Sequence, residues 1–302
     1  MPVPTPTFLE INPRDRRFGR GTTPQRWWHG GDPFATALFN ALSVPFPKGE
    51  AFFIESLRHF REGLPSKLAV EVRAFTMQEV NHSREHVAFN RRVTDTGYDV
   101  SKLEAMIDAR LAGIRARPPI ASLAATVALE HLTATLSHAI LTDPRHLAGM
   151  DEESRRMWRW HTLEEVEHKG VCYDVWLHAT RDWPARKRWS VQAKVMALVT
   201  RNFVVDRTRS MLELLRQDGI TGARAHAGVA RYAFAKPGLL RVALGAWRDF
   251  LAPDFHPWNQ DDRALIARIE REEREAMRPA SPVAAPLPHV HVGAEPDILV
   301  AR

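Results

Sequence analysis

Two stretches of this chain carry a Glu-x-x-His pair with a further histidine four residues away on opposite sides, Glu79-x-x-His82-x-x-x-His86 and His161-x-x-x-Glu165-x-x-His168. At about 100° per helical residue, each trio falls within an arc of roughly 60° on one helix face, over two turns. A lone Glu-x-x-His on a charged helix is commonly surface decoration. Two of them on separate helices, each extended by a further histidine, match the way helix bundles hold a pair of transition metals. In that design two other helices each add one lone Glu, and Glu55 and Glu130 are the candidates. Glu55 lies in the apolar segment AFFIESL, and Glu130 stands alone in ATVALEHLTATL without a neighbouring Lys or Arg. The pattern therefore restricts the chain to folds that bring four helices around one polar cluster.

Chemistry supports the same set. Four carboxylates, Glu55, Glu79, Glu130 and Glu165, would neutralise two divalent cations inside a core, where unpaired they would be costly to bury. Glu79 and Glu165 are expected to bridge the ions, His82 and His168 each to terminate one, and Glu55 and Glu130 to cap the remaining sides. His161 is expected as a seventh ligand, and His86 as an eighth or as a partner behind the ligands. If the two trio-bearing helices run antiparallel, His86 and His161 fall toward one end of the site and make it nitrogen-rich. Mixed imidazole and carboxylate suits iron first, with manganese or zinc as alternatives. Glu164 is a rival to Glu165, while Glu85 and Glu167 point about 120° away and read as solvated. His59, His131 and His138 are weaker candidates, and His289 and His291 fall in the tail.

Helical periods separated by Gly and Pro run through the chain, and no convincing strand alternation interrupts them. Helices are expected over 33–42, from 49–50 to near 63, over 66–92 with Ser66 as N-cap, 101–115 and 121–141. Further helices are expected from Asp151 to about 180, then over 186–217, 223–235, 237–250 and 259–278. The small residues around Glu130 (Thr126, Thr133, Ala134 and Ser137) suit either a pocket or close helix packing, whereas Trp158, Trp160, Phe52, Phe53, Phe75 and Phe89 read as core. On this basis the chain divides into an outer N-terminal arm (1–48), a helical metal-binding domain (49–258), and a charged helix with a disordered tail (259–302).

With one cysteine, Cys172, the chain has neither an intrachain disulfide nor a cysteine-built zinc site. Its net charge of +6 comes without a nucleic-acid-reading motif, so the basic residues read as a solvated surface. No run approaches the roughly 18 uninterrupted apolar residues of a membrane span, and the N-terminus lacks an apolar signal core, so a cytoplasmic address is expected. Nucleophile motifs and phosphate-binding loops are also missing from the sequence.

The segments NALSVPFPKGEAFFIESLRHF (40–60), QEVNHSREHVAFN (78–90), WRWHTLEEVEHKGVCYDVW (158–176) and FLAPDFHPW (250–258) together resemble the bacterial family of predicted metal-dependent hydrolases, across most of 25–260. The ligand order is also similar to that of ferritin-like di-iron N-oxygenases that oxidise arylamines. That resemblance maps onto Glu55, Glu79 with His82, Glu130, and His161 with Glu165 and His168; His86 has no counterpart in it. Together the residues and the resemblances imply an all-α, ferritin-like four-helix bundle with a di-metal centre, elaborated by C-terminal helices. The expected activity is an O2-activating oxidoreductase acting on a small organic substrate. The alternatives are a hydrolase that uses a metal-activated water, and a non-catalytic metal-binding or storage protein. A homodimer through the long helix 186–217 is compatible with the pattern.

Overall fold

The structure, a computed structural model, describes residues 5–7, 9–20, 25–235 and 238–276. Among these the chain is helical without a strand, apart from one isolated bridge between His29 and Met150. Eleven α-helices follow in order: α1 (Pro33–Ser43), α2 (Phe46–Arg58), α3 (Ser66–Asp95), α4 (Ser101–Arg115), α5 (Pro119–Thr142), α6 (Glu152–His168), α7 (Val171–Ala179), α8 (Ala185–Gln217), α9 (Gly222–Phe234), α10 (Leu239–Phe250) and α11 (Arg263–Ala276). The segment expected as a disordered tail, with His289 and His291, lies outside the described residues.

Four of these helices close a ring: α2 packs on α3, α3 on α6, α6 on α5 and α5 on α2. Composition places α5 at the centre. Its sequence PIASLAATVALEHLTATLSHAILT is apolar on every side, the pattern of a helix buried all round. It is long and apolar enough to cross a membrane, yet 72% of its most apolar window is buried inside the protein. It also contacts α7, α8 and α10. Its small residues allow close approach, and Thr126 Oγ1 meets Ser56 Oγ of α2 at 2.8 Å. Thr126, Thr133, Ala134 and Ser137 are all buried in this packing.

Residues 33–43, expected in an outer arm, form α1 inside the core. The helix carries no charged side chain, Ala35 through Ser43 are all buried, and it packs on α8 and α3. Asp32 caps it by accepting from the backbone N–H groups of Phe34 and Ala35. Asp151 caps α6 by accepting from Ser154. Ser66, in contrast, is the first helical residue of α3 behind Pro65, and its side chain makes no capping bond.

The helix expected to run from Asp151 to about 180 is two helices, interrupted at Lys169 and Gly170. A Cβ on Gly170 would stand 2.7 Å from Thr5 Oγ1 and 2.9 Å from the Trp258 indole, so only glycine lets both segments close over this turn. α6 consequently ends on His168, its last expected ligand. Gly170→Ala should overpack this contact and destabilise the fold by roughly 1–3 kcal/mol. A lowered urea midpoint would register the loss.

Candidate metal centre

Each helix of the ring delivers acidic or imidazole side chains to its interior. α2 supplies Glu50; α3 supplies Glu79, His82 and His86; α5 supplies Glu130; α6 supplies His161, Glu165 and His168. None of the eight is more than 2% exposed.

Glu55 is not among them. It stands half out of the surface, 44% exposed at its side chain, in a salt bridge to Arg115 at 2.7 Å. The two glutamates of α2 are five residues apart, about 140° around the helix. Glu55 shares its face with Ala51, Arg58 and His59, all exposed, while Glu50 shares its face with Phe53, Ile54 and Leu57, all buried. The apolar surroundings that recommended Glu55 lie beside it in sequence but belong to the opposite face. The i, i+3, i+4, i+7 pattern starting at Glu50 is the signal that identifies the inward carboxylate.

Glu165 occupies the middle. Its Oε1 lies 3.6 Å from His82 Nδ1 and 3.4 Å from His161 Nε2. On its other side, Oε2 lies 3.5 Å from His168 Nε2, which is itself 3.3 Å from Glu79 Oε1 and 3.4 Å from Glu130 Oε2. Glu50 completes groups with His86 and His161 and with Glu79 and His82; in each such group the donor atoms lie within 4.8 Å of one another. Two clusters of donors thus meet at Glu165 and Glu79, one richer in nitrogen and the other in oxygen.

Unmatched polar atoms inside the ring test whether metal fits here. Both oxygens of Glu79 and of Glu130, Glu165 Oε2, Glu50 Oε1, His82 Nδ1 and His168 Nε2 are buried without an aligned hydrogen-bond partner. Orphaned donors and acceptors at such density are costly unless something else satisfies them, and divalent cations would. The donor set of carboxylate oxygen and imidazole nitrogen, without thiolate, suits iron, manganese or zinc. Cys172 is buried nearby, where burial with Glu130 and Glu79 pushes its thiol well above the ordinary range, and it belongs to none of the donor groups.

Hydrogen bonds behind the imidazoles decide which nitrogen faces inward. His82 Nε2 donates to Glu164 Oε2 at 3.0 Å, which leaves Nδ1 for the centre. Gln78 spends its amide N–H on Glu167 Oε2, so its carbonyl Oε1 accepts from His168 Nδ1 at 3.0 Å and His168 Nε2 points inward. A third relay begins at Asn90, whose Nδ2 donates to the Ser43 and Val44 carbonyls. Asn90 Oδ1 therefore accepts from the Ser43 hydroxyl, which in turn accepts from His86 Nδ1. His86 Nε2 is then an acceptor for His161 Nδ1–H at 3.2 Å, and the His161 Nε2 lone pair faces Glu165. This arrangement puts His86 behind His161 and orients it.

Two of the expectations about acidic neighbours change. Glu85 and Glu167 are buried, because residues of the N-terminal segment cover that side of the helices: Glu85 accepts from the Phe18 backbone N–H and from Arg20, and Glu167 pairs with Arg14. Glu164 lies behind His82 and does not replace Glu165. The remaining histidines serve elsewhere. His138 pairs with Asp262, His131 lies against Phe250 and Phe255, and His59 is exposed. The aromatic residues form core as expected, but several also touch the centre. Trp160 meets His82 edge-on at 4.9 Å, Phe46 lies 4.6 Å from His86 and 4.8 Å from His161, and Phe75 lies 4.8 Å from His168.

Without cations, protons take up the imbalance. Burial pushes Glu50 up to about 8, and burial with its carboxylate neighbours raises Glu79 and Glu130. Burial opposes charge on His82, but Glu164 and Glu165 outweigh it and lift His82 to about 10. Burial likewise opposes charge on His168, and Glu165 with Glu130 outweighs it and raises this imidazole. The charged His168 in turn keeps Glu165 low against the opposing effect of its burial. Burial with the neighbouring charge on His82 lowers His86 to about 3, so it stays neutral.

Metal must displace these protons, so apparent metal affinity should rise with pH, with proton release measurable by calorimetry in buffers of different ionisation enthalpy. Glu50→Gln should weaken uptake and reduce that release, whereas Glu55→Gln should leave both at wild-type values. The metal-free fold should respond in the opposite sense. Folded Glu50 keeps a proton up to about pH 8 that the unfolded chain releases near 4.5, so this stabilisation is complete below 4.5 and lost as pH rises through 8. Urea midpoints of metal-free protein should therefore fall between about pH 6.5 and about pH 8.5, and less steeply in Glu50→Gln.

No curated protein and no solved structure matches this chain. A family model described as predicted metal-dependent hydrolase matches residues 12–261, a span that contains every side chain of the centre. The chain belongs to the predicted metal-dependent hydrolase family.

Proposed function

We propose that the chain is a dinuclear metalloenzyme of ferritin-like four-helix architecture, and that it is an O2-activating oxidoreductase acting on a small organic substrate. The ligands would be Glu50, Glu79, Glu130, Glu165, His82, His161 and His168, with iron as the metal that this donor set suits best. One observation carries the reading: two donor clusters share Glu165 in a core where no contributing side chain is more than 2% exposed. Such complete burial favours a first reactant as small as dioxygen over an ester or phosphate that must itself reach the metal. Two such ions would supply electrons to dioxygen in this reading, or polarise a scissile bond in a hydrolytic one.

The chain's own residues contribute orientation and exclusion of water. Glu164, Gln78 and His86 keep the inward nitrogens of His82, His168 and His161 free. Phe46, Phe75, Trp158 and Trp160 surround the imidazoles with apolar surface, which strengthens every electrostatic interaction among the ligands.

Hydrolysis is the second reading, favoured by the description of the family. Reconstitution with Fe(II) under anaerobic conditions, followed by exposure to oxygen, separates the two. Oxygenation predicts stoichiometric oxygen consumption with a transient visible absorption that zinc-loaded protein does not give. Hydrolysis of ester or phosphate substrates by zinc-loaded protein, at a rate independent of oxygen, would overturn the oxidoreductase reading.

A further inference from the structure

The hydrogen bonds behind His82 and His168 lead, by separate routes, to one cation. Arg14, in the segment before α1, approaches Glu164 through its backbone N–H (2.9 Å to Oε1) and its guanidinium (Nη1, 3.3 Å). Trp160 Nε1 adds a third donor to that same oxygen at 3.2 Å. Glu164 Oε2 is left to accept from His82 Nε2. The same guanidinium grips Glu167 with both arms, Nη1 to Oε2 at 2.9 Å and Nη2 to Oε1 at 2.5 Å. Glu167 Oε2 also takes the Gln78 amide N–H, which turns Gln78 Oε1 toward His168 Nδ1. Nη2 finally reaches Glu270 of α11 at 2.8 Å.

We infer that Arg14 is the positioning residue that sets the orientation of both His82 and His168 in the metal centre. The inference rests on the dinuclear reading proposed above. Glu164 and Glu167 are both buried, and Arg14 is the cation that faces the pair. The planar guanidinium holds the two carboxylates at a set separation, as a point charge could not. With the Arg14 side chain removed, Glu164 retains the backbone N–H of residue 14, Trp160 and His82, and Glu167 retains Gln78 among the described residues. Glu167 is then free to rotate, Glu164 loses the charge that balances it, and the partners that turn the two imidazoles inward are held less firmly. Arg14 touches neither metal ligand directly, so its effect passes through Glu164 on one side and through Glu167 and Gln78 on the other.

Cobalt(II) reports the test, because its ligand-field absorption follows ligand geometry and is independent of catalysis. Wild type, Arg14→Ala, Arg14→Lys and Arg20→Ala are loaded with Co(II), and affinity is read by chelator competition. Arg20→Ala controls for loosening of the N-terminal segment, since Arg20 pairs with Glu85, outside both routes. The inference predicts about 10- to 100-fold weaker binding in Arg14→Ala, with changed absorption bands. Arg14→Lys, which keeps the charge and loses the fork, should fold and still show altered bands. Arg20→Ala should match wild type in both readouts. Wild-type bands and affinity in Arg14→Ala, or in Arg14→Lys should Arg14→Ala not fold, would overturn the inference while leaving the metal centre intact. Equal effects from Arg14→Ala and Arg20→Ala would also overturn it, because general loosening would then explain the loss. A wild-type chain that binds no Co(II) would remove the dinuclear reading and this inference together.

Discussion

Four carboxylates turned inward from four different helices define the energetic problem of this fold. Glu50, Glu79, Glu130 and Glu165 are buried among apolar side chains, where an ionised carboxylate without compensation costs several kcal/mol. Protons relieve part of this cost in the absence of metal, as the raised values of Glu50, Glu79 and Glu130 show. Cations would relieve it more completely, since each can engage several oxygens at once. Much of the surrounding architecture serves to keep these groups in a dry, closely packed place. The central helix is apolar all round, its small residues let α2 approach, and aromatic rings press against the imidazoles.

A second layer of polar groups resolves a problem of direction. A neutral imidazole carries one proton and one lone pair, and a ligand must turn the lone pair inward. For His161 the direction is dictated by backbone carbonyls: those of Ser43 and Val44 orient Asn90, and the ordering passes through Ser43 and His86. For His82 and His168 it comes through carboxylates. Apolar and polar layers therefore divide the work, the first by excluding water and the second by choosing tautomers. The N-terminal segment belongs to both layers, with Phe18 packed against Trp160 and Arg14 among the carboxylates.

Much of this was legible in sequence because helical period converts spacing into direction. The two trios meet in space since i, i+3, i+4 and i+7 share a face, and Glu130 reaches them at His168. The same rule locates Glu50, whose companions on its face are all buried, whereas judging Glu55 by its immediate neighbours mixed two faces of one helix. The interruption at Gly170 escaped the pattern because glycine is tolerated within a helical run, and its reason lies in contacts from Thr5 and Trp258, distant in the chain. Glu85, Glu164 and Glu167 were equally opaque. Their burial depends on cover from residues 14–20, about 65 to 150 positions away, and helical periodicity carries no information about such partners.

The contact between Arg14 and Glu270 joins residues 256 positions apart. Synthesis on the ribosome runs from the N-terminus, and at typical elongation rates of about 5–20 residues per second α11 emerges tens of seconds after Arg14. During that interval a nascent chain can gather the four helices of the ring, while Arg14 still lacks its contact to Glu270. Arg14 can thus meet Glu164 and Glu167 once α6 has emerged, and its remaining contact, to Glu270, is the one that closes last.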